Sequence, residues 1–133
     1  MQELEPVFEK VARYFSLLSD SSRLKVIHAI CNHELSVSEV MSATGLTQSA
    51  VSRHLSNLHQ FGVASRRKVG AQALYQITDR TLTDICRTAC ISLVSRDSEE
   101  LMVAAALQAR VGQFMPVELI VPEFTATERA VSQ

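Results

Sequence analysis

The chain has no tryptophan, and aromatic residues fill only 5% of its 133 positions, so its core must be mainly aliphatic. It has no unbroken apolar run of about 18 residues, so no membrane-spanning helix and no membrane partner are expected. No basic segment followed by an apolar stretch opens the sequence, which argues against a secretory signal. Cysteines number three, an odd count without the spacing of a disulfide framework. These absences together point to a reducing, cytoplasmic setting. There is no Gly-rich phosphate loop, no paired-carboxylate pattern and no nucleophile-base-orienter spacing, so an enzyme is not expected.

What is present suits one soluble domain better than two: 47% of residues are hydrophobic and 20% are charged. Residues 4–18 place Val7, Phe8, Val11, Tyr14, Phe15 and Leu18 at helical spacing. Ser19 to Ser22 offer caps for a second helix whose inner side holds Leu24, Val26, Ile27, Ile30 and Cys31. A short third helix is expected between Ser36 and Gly45. A fourth runs from a Thr47 cap to a Gly62 stop, with Val51, Leu55 and Leu58 inward. The apolar period then drops towards 2, and "VASRRKV" and "ALYQI" flank Gly70-Ala71-Gln72 as a hairpin with Tyr75 and Ile77 on one face. A fifth helix follows, capped by Thr78 or Asp79, with Leu82, Ile85, Ala89 and Leu93 on one side. The fold class is mainly α (α+β), in the order α-α-α-α-β-β-α. That is a winged helix-turn-helix over residues 1–95, with a C-terminal helical or loose extension over 96–133.

One further absence bears on function. The formal net charge is −1, yet no Asp or Glu occurs from Val40 to Thr78, a window that holds Arg53, His54, His59, Arg66, Arg67 and Lys68. A solvated basic face would look the same, but here the basic residues coincide with the helix suited to a major groove and the hairpin suited to phosphates. Double-stranded DNA is therefore the expected partner. Gln48, Ser49, Ser52, Arg53 and His54 form the outer face of the fourth helix. Glutamine can pair with adenine edges and arginine with guanine edges. Thr47, Ser49 and the helix N-terminus suit phosphates. Arg66, Arg67, Lys68 and Gln72 place the wing on the backbone or in the minor groove.

Three stretches resemble the ArsR/SmtB family of bacterial repressors: "LLSDSSRLKVIHAI", "LSVSEVMSATGLTQSAVSRHLSNLHQFGV" and "SRRKVGAQALYQI". The resemblance covers roughly residues 8–95. It implies a homodimer joined through the first and fifth helices, and an operator-bound repressor released by an inducer. It also implies known sensor positions, and most of them are not filled. Ser36 and Ser38 stand where the arsenic-type site has thiols. Asp79 fits the first zinc-type position, but Thr81, Ser92 and Ser95 occupy the others. His28 and Val94 stand where the thiol-redox members carry cysteines, with Cys31 and Cys90 about one helical turn away.

Cys31, Cys86 and Cys90 remain as sensor candidates. Cys86 and Cys90 share a helical face, their Cβ atoms about 5–6 Å apart, too far for a disulfide while the helix is intact. Three readings stay open: plain core cysteines, a redox or reactive-sulfur switch, or a soft-metal or metalloid ion held with a third ligand from Cys31 or His28. No cofactor is otherwise implied. The alternative to a DNA reader is a winged helix that binds protein, and the acid-free window argues against it.

Overall fold

Asp20, Ser36 and Thr47 each precede an apolar helical stretch, and the computed structural model, which describes residues 1–96 and Leu107, places each as a helix N-cap. The elements are a 3-10 turn (Gln2–Leu4), α1 (Glu5–Ser16), α2 (Ser21–Ile30), α3 (Val37–Thr44), α4 (Gln48–Phe61), β1 (Ala64–Val69), β2 (Gln72–Ile77) and α5 (Arg80–Arg96). The expected order therefore holds. The expected C-terminal extension lies outside the described residues. The chain divides into two compact units, Met1–Asp79 and Arg80–Gln133.

In the first unit, side chains close each junction. The Asp20 carboxylate accepts from the Arg23 amide at 3.1 Å, starting α2. The Arg23 guanidinium turns back and donates to the Ser16 carbonyl at 2.9 Å, satisfying an orphan acceptor at the end of α1. Ser36 and Glu39 form a reciprocal capping box on α3. Gly45 then ends α3 with φ of 73°, a left-handed conformation that lets the chain turn sharply into α4. The Thr47 hydroxyl accepts from the Ala50 amide at 3.3 Å.

The core of this unit sits among α2, α3, α4 and the wing. Val26, Ile27, Ile30, Val40, Val51, Leu55 and Leu58 are fully buried. Tyr75 and Ile77 bury the inner face of β2, as their alternation predicts. The hairpin is antiparallel and turns through Gly70-Ala71, with Val69 opposite Gln72. A feature the sequence reading missed joins it: Leu35 bridges Tyr75 through two backbone hydrogen bonds of 3.0 and 2.9 Å. This short pairing ties the α2–α3 connection to β2.

One burial expectation needs correction. Leu24 is exposed, because the inner face of α2 is centred on Val26, Ile27 and Ile30. On α1, Val7, Phe8, Val11 and Phe15 share one stripe as expected, continued by Leu4 of the preceding 3-10 turn, and it is 42–51% exposed. In the second unit, Leu82 and Cys86 on α5 are buried, whereas Ala89 is exposed and Leu93 is 58% exposed. The apolar face of α5 is covered at its start and bare towards its end.

Candidate nucleic-acid interface

At about 100° per residue, α4 separates its side chains into two arcs. Val51, His54, Leu55 and Leu58 are buried. Gln48, Ser49, Arg53, Ser56 and Asn57 are exposed, with Ser52 half-buried at the margin. The outer arc carries amide, hydroxyl and guanidinium groups and no carboxylate, and Thr47 stands exposed at its N-terminal end. It thus offers hydrogen-bonding groups that suit base edges and free N–H groups that suit a phosphate.

His54 does not belong to that outer arc. It is only 1% exposed, and neither ring nitrogen has a hydrogen-bond partner. The reason is its register, three residues after Val51 and four before Leu58, on the inner stripe. Burial pushes its imidazole below the usual histidine range. The Asp20 carboxylate opposes that shift, while the Arg23 and Arg53 guanidiniums reinforce it. His54 is therefore a core histidine, whereas His59 is exposed.

The wing presents Arg66, Arg67, Lys68 and Gln72, all exposed. Strand alternation sends them to different faces. Arg66 lies opposite Tyr75 and Lys68 opposite Ala73, whereas Arg67 lies opposite Leu74 on the other face. Arg67 reaches Glu34 in a two-pronged pair, Nε donating to Oε2 at 3.0 Å and Nη2 to Oε1 at 3.1 Å. The guanidinium holds the Glu34 carboxyl below the usual carboxylate range, and Glu34 in turn raises Arg67. The window without acids is thus met in space by a carboxylate from outside it, Glu34, which pairs directly with one of its arginines. Among the described residues, Arg53, Arg66 and Lys68 have no carboxylate partner.

The three thiols differ. Cys86 is buried, and Cys31 and Cys90 are half-buried. The Cys31 Sγ donates to the His28 carbonyl at 3.1 Å. Burial raises the Cys90 thiol above its ordinary range, which disfavours the reactive thiolate. Among the described residues, no group of three or more His, Cys, Asp or Glu side chains is placed to hold a metal ion.

Comparison with known proteins agrees with this geometry. Residues 20–66 match the sequence profile described as "Bacterial regulatory protein, arsR family". The chain is 30% identical over 89 residues to the "Transcriptional repressor SmtB homolog" of Synechocystis, a match spanning 67% of each chain. It is 34% identical over 77 residues to the "Probable mercury resistance operon repressor" of Streptomyces lividans, spanning 58% of this chain and 62% of that one. The solved structure of reduced HlyU from Vibrio cholerae superimposes with a TM-score of 0.58 at 28% identity, covering 64% of this chain and 90% of that chain.

Proposed function

The chain belongs to the arsR family of bacterial regulatory proteins, and from that premise we propose that it is a homodimeric repressor that reads operator DNA with α4 and grips the backbone with its wing. It is a transcription regulator and not an enzyme. The carrying observation is the outer arc of α4, where Gln48, Ser49, Ser52 and Arg53 stand together with no carboxylate among them. Gln48 and Arg53 read base edges, Thr47 and Ser49 position the helix end on a phosphate, and Arg66, Lys68 and Gln72 hold the flanking backbone.

The dimer is supported by the bare apolar stripe of α1 and the uncovered end of the α5 stripe. A second copy would remove both from water. It would also set two reading helices about 34 Å apart, one helical turn of DNA. Release from DNA is assigned to thiol chemistry at the half-buried Cys31, with Cys90 held back by the burial that disfavours its thiolate and Cys86 packed as an apolar side chain.

Enrichment of a random duplex library over the purified protein tests the DNA reading. The expected product is a two-fold symmetric motif with half-sites one turn apart; a library that emerges unenriched would move the function to protein binding. Peroxide, a persulfide donor, zinc and arsenite, applied in turn with thiol mass spectrometry, test the release step. Release should coincide with a mass change on Cys31, and the Cys31→Ser protein should stay on its operator. Release of that variant would assign the trigger elsewhere.

A further inference from the structure

Arg67 is the one wing cation whose charge is already met within the described residues. Its pair with Glu34 spans 33 residues of sequence, so it is made by the fold and not by local chain geometry. Both ends are held. Glu34 adjoins Leu35, whose backbone is bonded to Tyr75 on β2. Arg67 sits on β1 opposite Leu74, the neighbour of Tyr75, and reaches across β2 to the carboxylate. The two-pronged geometry matches a planar fork to a planar carboxylate, and a phosphate offers that same guanidinium an equivalent set of oxygens. Arg67 therefore has two rival anions, one built into the protein and one supplied by DNA. The pair is also accessible, with Arg67 60% and Glu34 31% exposed in their side chains, so water and a phosphate can both reach it.

We infer that Glu34 is a positioning residue that holds Arg67 back from the DNA backbone, so that each subunit engages one phosphate fewer than its wing sequence offers. This rests on the reading of the chain as a DNA-binding regulator. Arg66 and Lys68, on the opposite face of β1 and without a carboxylate partner among the described residues, carry the wing's phosphate contacts. The device limits the part of binding that carries no sequence information. Phosphate contacts strengthen every DNA sequence alike, whereas the α4 contacts discriminate. Withholding one cation per wing thus favours operator over bulk DNA.

The test is a salt series of fluorescence anisotropy on the full chain with an enriched duplex and a scrambled duplex. Four proteins are compared: wild type, Glu34→Gln, Arg67→Ala and the double variant. The Glu34→Gln substitution keeps size and polarity at a half-buried site. It should steepen the slope of log K against log salt by about 0.9 per subunit on both duplexes. That is an extra loss of roughly 3.5-fold per subunit between 50 and 200 mM salt. The scrambled duplex should gain affinity at least as much as the enriched one, lowering the specificity ratio. In the Arg67→Ala background the same Glu34→Gln change should leave the slope where Arg67→Ala put it. An equal steepening with and without Arg67 would make Glu34 an ordinary surface charge and overturn the inference, as would no change in either background. A wild-type protein with no salt-dependent DNA binding would instead overturn the DNA reading itself.

Discussion

His54 and Arg53 are neighbours in sequence and opposites in role, because one residue step on α4 crosses from the buried arc to the exposed one. Arg53→Ala should weaken operator binding by about 1–3 kcal/mol and blur one operator position. Uniform weakening across all sequences would make Arg53 a phosphate contact. For His54 the prediction concerns pH. Its folded-state pKa lies below its ordinary value of 6.5, so the unfolded chain binds the extra proton first as pH falls. Stability should therefore be unaffected by His54 above that value and fall as pH drops below it. Thermal melts from pH 7.5 to 5 should show this loss, and His54→Leu should flatten the profile. A wild-type profile that is already flat would show that His54 titrates normally. The burial of His54 was legible in principle: positions 51, 54, 55 and 58 follow the i, i+3, i+4, i+7 pattern of a core stripe. The polarity of histidine and the pull of the neighbouring arginine concealed it.

At the scale of elements, the boundaries were readable because their causes are local. A capping serine, threonine or aspartate, a stopping glycine and a change of apolar period all act within a few residues. Ser36→Ala should remove half of the α3 capping box and cost roughly 0.5–2 kcal/mol. Gly45→Ala forces a Cβ into a left-handed backbone and should cost roughly 1–2 kcal/mol, although no atom stands in its way. Denaturant midpoints measure both, and a Gly45→Ala protein as stable as wild type would mean that the turn relaxes. The Leu35–Tyr75 bridge and the Glu34–Arg67 pair were not readable in the same way. Each joins residues more than thirty positions apart, and neither leaves a periodic signal.

At the scale of the whole molecule, the apolar stripe of α1 was readable but its destination was not. Periodicity states that Val7, Phe8, Val11 and Phe15 share a face, not whether that face is covered by its own chain or by another. If a second copy covers it, Phe8→Glu should halve the mass seen by light scattering to that of one 14.7 kDa chain, with the helical signal retained. A dimer that survives the change would place the interface elsewhere. The same scale decides the electrostatics. Net charge of −1 says nothing about DNA, whereas Arg53, Arg66 and Lys68 in each subunit are exposed cations without a carboxylate partner among the described residues. With Arg53 on base edges, Arg66 and Lys68 of two copies neutralise four phosphates. The most direct measurement is the salt dependence of operator affinity for the wild-type protein. Four contacts predict a slope of log K against log salt of roughly −3.6, and a slope near zero would contradict the account at its centre.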